Sequence, residues 1–252
     1  MLLRIVLASC FILLFGAASS AYGSQSDLAE QLRRIPSGLV GLGPSLAVGG
    51  TSGGHLEGGM KLDMNFPHLR VLKRTRYRGL FWGHSRLVRA LERVATNLVE
   101  GYWPPSPVWT GNLTKAGGGK IGPSRSHQTG LDADLVIPVL SDGQESSPAI
   151  RPIRAPGEPV DDRPLMDVSR TWALVEAILN EPEIDVLWIF LSDPLIDAVI
   201  EYAVLNAAPD ELVVRALHVL HQPSDSLPHD DHLHHAPSER RGCRWPLPAP
   251  CP

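Results

Sequence analysis

At 252 residues the chain is long enough for one sizeable domain or two small ones. Its 43% hydrophobic and 20% charged residues are ordinary for a soluble globular protein. A formal net charge of −4 leaves no basic field of the kind that draws nucleic acid or anionic lipid.

The first stretch, MLLRIVLASCFILLFGAASSAYGSQS, has one early cation (Arg4), an apolar run from Ile5 to about Ala18 and small residues after it. That pattern predicts a secretory signal peptide over residues 1–23. The run is short for a membrane span and leads to Ala21-Tyr22-Gly23, a small-x-small cleavage site; a retained anchor is the alternative. If Cys10 leaves with the signal, Cys243 and Cys251 remain. An even pair in an exported chain predicts a disulfide within the Pro-rich tail that begins at about residue 237. Residues 24–252 read as a single domain carrying that tail.

The glycine-dense segment 38–62 predicts loops and tight turns around short strands. In HSRLVRALERVATNLVE (84–100) the apolar residues recur at the spacing of one helix face. Leu131, Ala133 and Leu135 alternate with Asp132 and Asp134, which predicts a strand in LDADLVIPVL (131–140). Residues 141–165 are polar and Pro-rich and predict a long exposed loop. SRTWALVEAILNEP reads as a helix stopped by Pro182, and IDVLWIFLS as a buried strand. DPLIDAVIEYAVLN reads as a helix with Asp193 at its cap and Pro194 in its first turn, and PDELVVRALHVL as another helix. Strands mixed irregularly with helices predict an α+β fold.

Two clusters can carry chemistry: SHQTGLDAD (126–134) and HDDHLH (229–234). Residues two apart on a strand point the same way, so His232 and His234 share a face while Leu233 and His235 turn away. An H-x-H pair of this kind is half of a metal site. Catalytic zinc takes three protein ligands from His, Asp or Glu and keeps a fourth position open. His127 and a carboxylate on the following strand can supply the rest, with spacing leaving Asp132 and Asp134 as equal candidates. His84 in FWGHS reads as a helix cap and His218 as a core histidine; Trp82 and Trp188 read as core. His55, His68 and His221 carry no pattern.

SHQTGLDADL followed by HDDHLH resembles the penicillin-insensitive murein endopeptidases, relatives of lysostaphin-type enzymes, D-Ala-D-Ala metallopeptidases and hedgehog domains. YRGLFWGHSRLVRAL, VWTGNLTKAGGGKIGPSRSHQTGLD, VLWIFLS and LHVLHQPSDSLPHDDHLH extend the similarity over roughly residues 40–235. The resemblance implies a small central antiparallel sheet carrying a zinc site, flanked by helices, with long loops. It implies zinc held by His127, Asp134 and His234, with His232 and His229 as catalytic neighbours. His232 would take the proton of the attacking water, and His229 would stabilise the oxyanion. No H-E-x-x-H is present to offer a glutamate base. Asp132, Asp230 and Asp231 become candidates to orient ligand histidines.

The implied activity is hydrolysis of peptide cross-links in peptidoglycan, at a D-alanyl–meso-diaminopimelate bond, in the periplasm. β-Lactams would not block it, because no acyl-enzyme serine takes part. The partners implied are cross-linked stem peptides, with no nucleic acid and no integral membrane segment once the signal is removed. A D,D-carboxypeptidase or dipeptidase of the same superfamily, and a non-catalytic zinc-containing wall-binding protein, are the rival readings. Two departures motivate the last: Ser124 stands where relatives often carry a histidine, and HHAPSERRGC replaces an apolar-basic strand after the H-x-H.

Overall fold

The computed structural model describes residues 45–101, 106–141, 144, 145, 148, 150–184 and 186–237. The expected signal peptide and the Cys243–Cys251 tail lie outside the described residues. Among those residues, no helix is long and apolar enough to cross a membrane.

The glycine-dense segment forms the hairpin of β1 (Leu46–Gly50) and β2 (Gly53–Glu57), then β3 (Met60–Lys61), as its turn-rich composition predicts. β4 (Leu69–Val71), α1 (Lys73–Arg78), β5 (Trp82–Gly83) and α2 (Ser85–Gly101) follow. β6 (Val108–Thr110) and β7 (Ala133–Leu135) bracket a long glycine-rich loop. β8 (Val139–Ser141), β9 (Gln144–Glu145) and β10 (Leu165–Met166) form a separate small sheet. The chain then runs through α3 (Val168–Asn180), β11 (Val186–Phe190), α4 (Asp193–Leu205), α5 (Asp210–Val219), β12 (Leu220–His221) and β13 (Leu233–Pro237).

The main sheet has six strands in the order β12-β11-β13-β7-β6-β4. Leu233, Leu135, Ala133 and Ile189 project from it into the core formed with Leu91, Leu98, Leu174 and Ile178. The predicted helix face of α2 is the one buried: Leu87, Val88, Leu91, Val94, Ala95 and Leu98 are all inaccessible. Each such leucine or valine contributes roughly 1.5–3 kcal/mol relative to exposure. Alternation sends the intervening residues, His234 and Asp134, to the opposite face.

The expected antiparallel sheet is mixed instead. β4 pairs parallel with β6, and β11 with β12, at the two edges of an antiparallel centre. Both parallel pairs are joined by helical crossovers, α1 and α2 in one case and α4 and α5 in the other, which return the chain in its starting direction. The expected strand 131–140 breaks as well. β7 ends at Leu135, with Val136 N–H still bonded to the Trp109 carbonyl at 2.9 Å, and Pro138, which has no N–H for a ladder, separates it from β8 in the other sheet.

Other differences are local. Residues 141–165 include strands, and Ile153 and Ala155 within them are buried. β11 is only partly buried: Ile189 faces the core, Trp188 and Phe190 on the other face are partly open, and Leu187, where the pairing with β13 shifts register, is exposed. Ser192 rather than Asp193 is the N-cap of α4, with Pro194 in the first turn. His84 behaves as expected, accepting the Arg86 N–H at Nδ1 ahead of α2. His218 does not: it is exposed, with its ring bonded to the Val214 carbonyl at 2.7 Å.

α2 and α3 are pinned by a forked ion pair. Arg93 Nη2 donates to Glu181 Oε1 at 2.7 Å and Nε to Oε2 at 3.2 Å. The Glu181 side chain is 4% exposed and that of Arg93 42%. Burial pushes the Glu181 carboxyl up, and the Arg93 hydrogen bonds outweigh it, so its pKa is lowered from 4.5. Glu181→Gln should cost about 1–2 kcal/mol at pH 7, the half-exposed arginine screening part of the attraction. Because the folded pKa is depressed, this contribution is present above the unfolded pKa and disappears as pH falls through the folded one. Denaturant titrations of wild type and variant should therefore differ at neutral pH and converge in acid.

Candidate metal centre

The centre begins with a cross-strand pair. The β13–β7 register sets His234 opposite Asp134, and the β11–β13 register sets Phe190 opposite His234. The backbone of Asp134 is fixed on its other side. Its carbonyl accepts from Gly111 N–H at 2.8 Å and Thr110 Oγ1 at 3.1 Å, and its N–H donates to the Asn112 carbonyl at 2.9 Å.

His127 is delivered by the glycine loop. Gly119 N–H donates to the Gln128 carbonyl and Gln128 N–H to that of Thr51. At Gly118 (φ +64) a Cβ would lie 2.3 Å from the Gln128 carbonyl oxygen, so only glycine lets the two strands of the loop meet. His127 itself has φ +67, a left-handed conformation that a non-glycine residue adopts at a cost. The flanking hydrogen bonds hold it there, and its ring turns inward.

Three nitrogens converge on one oxygen. Asp134 Oδ1 lies 3.1 Å from His127 Nε2, 2.9 Å from His234 Nδ1 and 3.5 Å from His232 Nε2. His127, Asp134 and His234 are buried, and one ligand atom from each lies within 4.8 Å of the others. Asp134 Oδ2 points away and accepts from Asn112 Nδ2 at 2.9 Å. Behind His234, Nε2 faces Asp132 Oδ1 at 3.5 Å, and Phe190 stacks on its ring at 5.2 Å with planes 8° apart. His232 Nδ1 lies 2.5 Å from Asp231 Oδ1. His229 stands 5.3 Å from the rings of both His232 and Phe190.

These contacts make a buried anion that gathers positive charge. Burial pushes the Asp134 carboxyl up, but His127 and His232 outweigh it and hold its pKa well below the ordinary range. Burial lowers the pKa of His234, while Asp132 and Asp134 pull it the other way, to about 9. His232 is raised by Asp134 and Asp231 against its burial. His229 is lowered to about 4, by burial first and then by its histidine neighbours. A cluster that draws protons onto imidazoles around a desolvated carboxylate suits a divalent cation, which supplies the charge without them. Two imidazole nitrogens and one carboxylate oxygen are also a donor set that catalytic zinc takes. The residues therefore fit, and the cluster could hold a metal ion.

All five expected site residues come together. Of the two aspartates that spacing left equal, Asp134 enters the cluster and Asp132 backs His234. Asp231 backs His232, whereas the main-chain carbonyl of Asp230 receives Ile153 N–H at 2.8 Å. Ser124 lies on the His127 loop, its hydroxyl 3.3 Å from that of Ser126. Asn112 and Phe190 were not expected. The alternation of Trp188 and Phe190 in VLWIFLS was a usable sign of an aromatic face. A single asparagine in TGNL carries none.

The sequence profile of a family described as penicillin-insensitive murein endopeptidase matches residues 47–200, more than half of the chain. A penicillin-insensitive murein endopeptidase from Citrobacter koseri is 29% identical over 112 residues, which are 44% of this chain and 39% of that protein. The matched stretch thus spans about two-fifths of the relative's length.

Proposed function

The chain belongs to the penicillin-insensitive murein endopeptidase family, and from that premise we propose that it is a zinc-dependent endopeptidase cutting D-alanyl–meso-diaminopimelate cross-links of peptidoglycan. The observation that carries the reading is the convergence of His127, Asp134 and His234, with a second, carboxylate-backed histidine beside them. The apolar run ending near Ala18 and the Ala21-Tyr22-Gly23 site support export to the periplasm, where that substrate lies.

A zinc ion held by the three ligands would supply Lewis acidity to the scissile carbonyl and make water nucleophilic near neutral pH. The remaining chemistry falls to protein groups. Asp231 holds the Nδ1 proton of His232, which leaves the Nε2 lone pair facing the cluster. There it takes the proton of the attacking water and returns it to the leaving amine. His229 stays neutral near pH 7 and offers an N–H to the developing oxyanion.

Purified protein should contain stoichiometric zinc and convert cross-linked muropeptide dimers to monomers. A chelator should stop the reaction and added zinc restore it. Release of free D-alanine from monomeric stem peptides would instead identify a carboxypeptidase. Binding to sacculi without turnover, by metal-replete protein, would identify a wall-binding protein and overturn the proposal.

A further inference from the structure

We propose that Asn112, oriented by Arg78, is a positioning residue that keeps Asp134 a one-oxygen metal ligand and so holds a coordination position open. The inference rests on the metal centre proposed above and extends it to residues outside the ligand set.

The two oxygens of Asp134 have separate duties. Oδ1 faces His127, His232 and His234, whereas Oδ2 is occupied by the Asn112 amide at 2.9 Å. A carboxylate with both oxygens free can close on a cation through both and fill the position that substrate or water requires. The amide bond to Oδ2 opposes that rotation.

Asn112 can do this only if its amide faces the right way, since one end donates and the other accepts. Arg78 settles the direction. A guanidinium has donors alone, and Arg78 Nη1 lies 3.2 Å from Asn112 Oδ1. The flipped amide would set donor against donor there and acceptor against acceptor at Asp134. Arg78 Nη2 also donates to the Gly122 carbonyl, five residues ahead of His127. One guanidinium at the last turn of α1 thus braces the carboxylate arm and the loop that delivers the first imidazole.

Asn112→Leu removes the donor while keeping the branching and heavy-atom count of the side chain. Partners that orient ligands are typically worth about 10–100-fold in metal affinity. Zinc affinity, measured by competition with a chromogenic chelator, should fall by about that factor in Asn112→Leu and in the smaller Asn112→Ser. Arg78→Leu should weaken binding less, with Arg78→Lys recovering part of the loss. In cobalt-substituted protein the visible bands of Asn112→Leu should weaken, because intensity falls as the coordination number rises. A residue that merely packs would lower the melting temperature of the metal-free protein and leave the bands unchanged. Wild-type affinity and an unaltered cobalt spectrum in a folded Asn112 variant would overturn this inference alone. A wild-type protein that binds neither metal would overturn it together with the reading on which it rests.

Discussion

Asp134→Asn should abolish stoichiometric zinc and lower cross-link cleavage by at least about 10³-fold. The substitution changes no volume to speak of, yet it removes the charge around which the cluster is built. It can also turn an amide donor toward His127 and His234, where the native Oδ1 accepts. The same charge gives the site a pH dependence. His234 holds its proton up to about pH 9 in the metal-free cluster. Zinc must displace that proton, so apparent affinity should rise as pH is raised from about 6 to about 8, with protons released on binding. Calorimetry in buffers of different ionisation enthalpy reads the released protons directly. An Asp134→Asn protein that keeps wild-type zinc and turnover would remove Asp134 from the centre.

The second large effect separates base from ligand. His232→Ala should keep stoichiometric zinc while kcat falls by about 10²–10⁴-fold, the range typical of a lost general base. KM should change far less, because the imidazole works on a proton rather than on substrate binding. Asp231→Asn should give a smaller loss in kcat, since His232 would retain its nitrogen but lose the carboxylate that fixes its tautomer. If His232→Ala strips the metal instead, His232 is a ligand, and the proton must travel by another group. Metal analysis and steady-state kinetics on the same preparation decide between the two.

Much of this was readable in the chain, and the unreadable part has physical causes. α2 and α3 were legible because amphipathic spacing is a local property, complete within each segment. The histidine of SHQTGLDAD and those of the H-x-H pair are the ones that gather around Asp134, since alternation on a strand is local too. Choosing between Asp132 and Asp134 was not local: they share a face, and only the pairing of Asp134 with His234 puts one inside the cluster and the other behind it. Asn112 was invisible for the same reason, as it reaches Asp134 from the neighbouring strand's end. The parallel edges escaped because strands of two or three residues show no periodicity that reveals direction. His218 is exposed despite its apolar neighbours because α5 turns part of that sequence outward, with Val214 and Leu217 in solvent beside it.

The place of β13 in the sheet has a consequence for when the proposed centre can form. The last described strand is an interior one, inserted between β11 and β7, and it brings His234 with it. A chain made from its N-terminus therefore holds His127 and Asp134 long before their third companion exists, with an unfilled slot in the middle of its sheet. Closing that slot joins residues a hundred positions apart, a non-local contact of the kind that carries loop-closure entropy. The strand that fills the middle of the main sheet is thus also the one that brings the third residue of the proposed centre.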